Sequence, residues 1–389
     1  MERLFDFVLI VSLFREIPTF IQDDKDEKLA LAALVAGTAG AAFAQASLTG
    51  NVTYGYTQTT SAAGSLASGL GVDTAELYLG SKEDLGGGST VEAKLGLADT
   101  TRAGVTGGDL SLVYTNMSVG QISMETEKGS DYFAGIASAG APVINMDGKH
   151  HETRSSSDSI AYTVPVGPVY LRFSHGESSS GIGLGRGGAG SASNTVKQRN
   201  NTVSAYYASG PLQALLAFRS YDNRIEGDPL SLAAVGGVSD YLQATKNSII
   251  NAQASYDLGV AKVGAGFQES TGTNGITVRD ALMGVSVPAG AFTFGATYST
   301  SDLQGARDTH ALVGWKASQY NGRATGYSLG VQYAMSKRTS LALKTANWTH
   351  SGYSQYEADA ALGTNTAGAA GRGYDKTANE TTLLLSHSF

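Results

Sequence analysis

Apolar and polar residues alternate with period two along this chain, and the links between alternating segments themselves alternate in length. Few folds tolerate both. "GYSLGVQYA" sets Tyr327, Leu329, Val331 and Tyr333 on one face of an extended chain, with Ser328, Gly330 and Gln332 on the other. "AFTFGATYS" opposes Phe292, Phe294, Ala296 and Tyr298 to Thr293, Gly295 and Thr297, and "PVYLRFS" opposes Val169, Leu171 and Phe173 to Tyr170, Arg172 and Ser174. "NVTYGYT" repeats the pattern with Val52, Tyr54 and Tyr56 against Thr53 and Gly55. Successive side chains of a strand point to opposite faces, so one such segment signals only a half-buried strand. Read throughout at this period, the sequence yields sixteen strands. They lie at about 47–58, 73–81, 89–98, 110–116, 120–127, 157–164, 168–175, 200–208, 211–222, 247–257, 260–270, 277–287, 290–300, 324–334, 339–349 and 379–389. The alternation is least clear at 277–287, where Arg279 and Asp280 interrupt it.

The links decide between a soluble sandwich and a membrane barrel. Short ones fall at 82–88, 117–119, 165–167, 209–210, 258–259, 288–289 and 335–338; long ones include 128–156, 176–199, 223–246, 301–323 and 350–378. Pro165, Pro168, Pro211 and Pro288 sit in or beside short turns, where a missing N–H costs no ladder hydrogen bond. Short turns at one end and long loops at the other describe an outer-membrane barrel. No run of 18 apolar residues follows residue 44, so a helical span is not expected. The expected fold is all-β: a sixteen-stranded antiparallel up-and-down transmembrane β-barrel. In hydrocarbon every backbone polar group needs a partner, so the sheet must close on itself. The first strand then pairs with the last, "ETTLLLSHSF", and Phe389 belongs to the barrel wall at an aromatic girdle. Composition agrees, with 50 Gly and 19 Tyr but 7 Pro. The absence of cysteine excludes a disulfide scaffold and thiolate metal sites. A net charge of −7 argues against a nucleic-acid partner.

"KLALAALVAGTAGAAFAQA" supplies the compartment. Lys28 precedes an apolar run from Leu29 to Phe43, and Ala42-Phe43-Ala44 offers the small-x-small pattern of signal-peptide cleavage. Residues 28–44 therefore read as an export signal cleaved after Ala44, and 45–389 as the barrel. Residues 1–27 fit an export signal poorly, because the acidic "DDKDE" lies where basic residues belong. A start site placed too early and a genuine extension both stand as readings.

Four stretches resemble the trimeric general porins of Gram-negative outer membranes, especially the beta-proteobacterial branch. "GSKEDLGGGSTVEAKL" is similar to the turn after the second strand, and "RSSSDSIAYTVPVG" to the strand following the constriction loop. "YAMSKRTSLAL" resembles the last periplasmic turn, and "LLLSHSF" the terminal strand that the barrel-assembly machinery reads. The resemblance implies an outer-membrane homotrimer in contact with outer-membrane lipids and lipopolysaccharide. It also implies a third outer loop, about 128–156, folded inward to narrow each pore, Phe389 as an assembly signal, and no cofactor.

Lumen-facing charge is the expected working part. Alternation places Lys94, Arg172, Arg219, Lys262 and Lys344 on the polar faces of their strands. A cation on the lipid face near the midplane costs about 2–4 kcal/mol, which favours the inward side. Opposing acids are expected from the long loop and its approach: Glu125, Glu127, Asp131, Asp147 and Glu152. Basic wall against acidic loop would set a transverse field across a water-filled constriction. Where the family carries a basic residue on the second strand, "TAELYLG" has Glu76, so the sign of ion preference is left open.

Other patterns are weaker. His150 and His151 beside Asp147 and Glu152 could suit a divalent cation, but adjacent residues of an extended chain diverge, and the pair reads as exposed loop. "GLGRGGAGSAS" lacks the flanking strand and helix of a phosphate loop. No Ser/His/Asp constellation stands out among six histidines, so no enzyme is expected. The favoured function is passive diffusion of ions and small hydrophilic solutes. A substrate-selective channel would need an aromatic track, for which Tyr78, Tyr170 and Tyr206 are the inward candidates; a secreted Gly/Ser-rich adhesin would show a short turn period, and none is present.

Overall fold

The computed structural model describes residues 44–60, 66–101, 104–128, 132–147, 149–151, 156–179, 196–222, 246–272, 277–304, 322–353 and 374–389. The expected export signal before Ala44, and residues 1–27, lie outside them. Sixteen strands form: β1 Ala44–Thr60, β2 Leu66–Gly86, β3 Ser89–Thr101, β4 Gly104–Asn116, β5 Gly120–Lys128, β6 Ser156–Val166, β7 Val169–Ser179 and β8 Val196–Ser209. They continue as β9 Leu212–Asp222, β10 Lys246–Asp257, β11 Lys262–Gly272, β12 Thr277–Ala289, β13 Phe292–Gln304, β14 Gly322–Ala334, β15 Thr339–Tyr353 and β16 Tyr374–Ser388. Each neighbours the next, and β16 returns to β1, so the sheet is a closed barrel.

Closure is where expectation and structure meet most directly. Gly50 N donates to Phe389 O and Phe389 N to Gly50 O, both at 3.1 Å, so the terminal phenylalanine is laddered to β1. Alternation produces a continuous outer belt because register carries it from strand to strand. Phe292 lies opposite Tyr333, Tyr333 opposite Leu341, Leu341 opposite Leu385 and Leu385 opposite Tyr54. These five are between 39% and 49% exposed, which for large apolar groups marks a surface made for lipid. The Phe292 and Tyr333 rings add a cross-strand contact at 4.9 Å.

Tight turns set the register at the short-link end. Gly210 and Gly290 adopt φ of 58° and 63°, the sign that primed hairpin turns require and that only glycine adopts freely. Ser336 Oγ accepts from Arg338 N and Thr339 N in the "MSKR" turn, and Asn116 Oδ1 accepts from Ser118 N and Val119 N in "MSV". Several strands run farther than expected. β2 starts at Leu66 rather than 73 and continues to Gly86, so the 82–88 link shrinks to two residues, and β4, β8 and β16 begin earlier than expected. Period-two contrast marks only the lipid-facing height of a strand; beyond it both faces meet water and the ladder continues without a hydropathy signal. The 277–287 segment is a strand, with Arg279 outside and Asp280 buried inside.

Candidate pore and its constriction

"DYFAGIASAGAPVINM" is unusually apolar for a link between polar strand ends, and residues 132–147 and 149–151 take that character into the barrel. Loop side chains meet the inner wall in two small apolar clusters. Ile144 and Met146 join Ala346, Trp348 and Ala378 of β15 and β16; Phe133 and Ala137 join Leu282 of β12. Polar anchors run between them. Gln253 of β10 donates to Tyr132 O and accepts from Ala137 N at 3.2 Å, and Ser328 Oγ of β14 accepts from Ile144 N at 2.9 Å. Lys149 closes the seat with an ion pair to Glu380 of β16 at 3.3 Å, its ammonium 5.6 Å from the Trp348 ring centroid.

The wall makes room for this loop by omitting side chains. A Cβ at Gly284 would lie 2.6 Å from the carbonyl carbon of Ser138, at Gly266 2.7 Å from Ala137 Cβ, at Gly295 2.6 Å from Pro142 Cδ and at Gly326 2.6 Å from His150 Cε1. At Gly330 it would overlap Pro142 O, and at Gly264 it would overlap Ile136 O. Six inward glycines on β11–β14 thus form a bed for the loop backbone.

The histidines differ from expectation. His151 is buried and His150 half-buried, because the loop turns inward and carries them against β12 and β13. His150 Nε2 lies 2.9 Å from Ser299 Oγ, and His151 donates to Thr300 O at 3.3 Å, with a further bond to the Ala281 backbone. Burial pushes the His151 pKa from 6.5 down to about 4. Because the seated form disfavours the proton, its stability is complete above pH 6.5 and is lost as pH falls from there toward about 4. The loss reaches about 3 kcal/mol at most. Limited proteolysis of the loop is expected to accelerate between neutral pH and pH 4, and His151→Gln to flatten that dependence. Equal pH dependence in the variant would place the sensitivity on Asp147, His150 or Asp280 instead.

Most expected site residues of the opposite wall are held by named partners. Arg172 Nη2 of β7 donates to Glu125 Oε2 of β5 at 2.5 Å. Tyr78 Oη donates to Glu76 Oε2 at 2.8 Å, and Lys94 Nζ stands 4.1 Å above the Tyr78 ring. Arg219 donates to Thr202 Oγ1; Lys262, on the loop-bearing strand β11, donates to Gln213 Oε1 of β9. Lys344 sits on β15 opposite Gly330. Of the expected acids, Glu125 and Glu127 belong to β5 and only Asp147 to the described loop; Asp131 and Glu152 lie outside the described residues. What sequence reasoning missed is the seat: Gln253, Ser328, the Lys149–Glu380 pair and the glycine bed. Its signals were the apolar loop and inward glycine on four successive strands.

A loop folded into a closed barrel is a pore with a constriction. A family profile described as Gram-negative porin matches residues 30–353. The chain belongs to that family. This porin is a diffusion channel of the outer membrane. Among solved structures it resembles an anion-selective porin from Comamonas acidovorans, at 19% identity and a TM-score of 0.61, covering 89% of this chain and all of that one. The trimer form of OmpT, an outer membrane protein of Vibrio cholerae, matches at 11% identity and a TM-score of 0.57, over 89% and 100% of the two chains. A mutant of Rh. blastica porin matches at 14% and 0.52, again over 89% and 100%. At these identities the likenesses speak for the fold. A comparison with curated proteins returned no match.

Proposed function

We propose that this porin passes ions and small hydrophilic solutes by passive diffusion, as a homotrimer, through a constriction between the seated loop and the β2–β9 wall. The observation that carries the reading is the loop itself, anchored to the inner wall at Gln253, Ser328 and Glu380. Such a loop narrows the lumen from one side and leaves Lys94, Arg172 and Arg219 on the other. Transport of this kind is work without chemistry, so the chain needs no catalytic group and no cofactor. Phe389 serves as the assembly signal, and the long loops face outward. Pairing within the wall moderates its charge: Glu125 offsets Arg172, and Glu76 stands beside Tyr78 and Lys94. The anion selectivity of the Comamonas relative carries over here only as far as Arg219, Lys262 and Lys344 outweigh those acids.

Single-channel current of refolded residues 45–389 in a planar bilayer under a salt gradient tests this. Steps closing in threes with a defined reversal potential are the expected result; a correctly inserted barrel without current would sink it. Arg172→Ala is expected to leave Glu125 facing the lumen alone and shift the reversal potential toward cations. An unchanged potential would remove Arg172 from the constriction.

A further inference from the structure

The row of wall positions that seats the loop continues past the loop. Gly266 and Leu282, which lie against Ala137 and Phe133, are in register with Gln253 of β10, and Gln253 is opposite Leu215 of β9. Leu215 in turn is opposite Tyr206 of β8, and Tyr206 is opposite Tyr170 of β7. All three share the sidedness of Arg172 and Arg219, opposite to that of exposed Phe173, Val203 and Phe218, so they face the lumen. The loop covers the row on β11 and β12, but on β7–β9 it stays open. Tyr170 is 48% exposed there, Tyr206 and Leu215 are half-buried, and neither tyrosine hydroxyl has a partner among the described residues. Apolar rings left in water cost hydration free energy that a flat apolar partner recovers.

A fixed cation stands at the edge of this ledge. Lys262 of β11 reaches over β10 to Gln213 of β9, with Nζ 3.0 Å from Oε1, and Gln213 is two residues from Leu215 on the same face. Two residues of strand span roughly 7 Å, the scale of a ring carrying one carboxylate. Gln213 is neutral, and Lys262 makes no ion pair among the described residues; Asp257, opposite it in register, accepts from Gly259 N at 2.7 Å. One of the three ammonium donors is used, which leaves two for an incoming anion. Arg172 differs, because Glu125 already offsets its charge. A ledge for a planar ring beside a single unpaired cation favours an aromatic carboxylate over both a small anion and a neutral ring.

We infer that Tyr170, Tyr206, Leu215 and Lys262 form a lumenal binding site for small aromatic carboxylates, with the ring on the ledge and the carboxylate on the ammonium. The inference rests on the diffusion reading, to which it adds a solute class. Saturation-transfer NMR of the refolded protein with millimolar benzoate, benzamide or acetate reads binding independently of current. Transfer to benzoate is expected to exceed that to the neutral ring or to the ringless anion. Tyr170→Leu/Tyr206→Leu is expected to weaken benzoate binding about tenfold and Lys262→Gln about fivefold. Tyr170→Leu alone, at the open edge of the ledge, should weaken it about threefold and serves where the double variant does not assemble. Tyr207→Leu, on the lipid side of β8, should leave it unchanged. Equal transfer to benzamide or acetate would overturn the proposal, as would unchanged benzoate binding in the lumen-facing variants or an equal loss in Tyr207→Leu. Bilayer current on the same preparations separates the two readings. Benzoate binding to a barrel without current would overturn the diffusion reading alone; a conducting barrel that does not bind benzoate would overturn this one alone.

Discussion

Leu329→Arg is expected to cost the barrel about 2–4 kcal/mol of folding stability in lipid, a large fraction of what a domain has to lose. Leu329 points outward from β14 between Ala296 of β13 and Thr345 of β15, two positions from exposed Tyr327 and four from exposed Tyr333. A guanidinium there faces hydrocarbon and must be neutralised, drawn to the interface or hydrated by a defect. Gln332→Arg, three residues along the same strand, points to the lumen and should change stability by less than about 1 kcal/mol. Denaturant-titrated folding into phospholipid vesicles measures both. Equal penalties would mean that the alternation of β14 does not sort lipid from lumen, and the assignment of every other strand would fall with it.

Substitutions in the glycine bed are expected to act on conduction more than on folding. Valine at Gly284 would press on the backbone of Ser138, and valine at Gly330 on the backbone of Pro142. Backbone cannot rotate out of the way as a flexible side chain would. Relieving a 2.6 Å approach requires a shift of roughly 1 Å, and overpacking of this kind costs about 1–3 kcal/mol. The seat is bounded by the wall, so the loop must move toward the lumen axis. Single-channel conductance should therefore fall in Gly284→Val and Gly330→Val, with Gly330→Ala a milder version that assembles more readily. Gly69→Ala on β2, where a Cβ meets nothing, should conduct as the wild type. Unchanged conductance in both bed variants, with barrels assembled, would mean that the loop is not seated on these glycines in the membrane.

The two predictions draw on different kinds of information. Sidedness at Leu329 is local: it follows from residues two apart on one strand and from the cost of placing charge in hydrocarbon. For that reason all sixteen strands were legible, and so were the short turns at one end and the place of Phe389 in the wall. Where the hydropathy contrast disappears the reading stopped short, as at the start of β2, although the ladder continued. The pairing of Tyr78 with Glu76 spans two residues and was within reach; Lys94 above the same ring depends on the register of β2 with β3.

The loop seat is of the other kind. Ala137 reaches Gln253 across 116 residues and Ile144 reaches Ser328 across 184, and no period in the sequence connects them. His150 and His151 read as exposed because loops ordinarily face water; burial came from an apolar loop finding two apolar clusters inside the barrel, one at Leu282 and one at Trp348. Sequence alone determined that this chain builds a closed, lipid-facing wall, because alternation and backbone satisfaction act residue by residue. Only the tertiary structure decided where the pore narrows, because that depends on which inward positions lack a side chain and on how far the curved sheet brings them to residues distant in the chain.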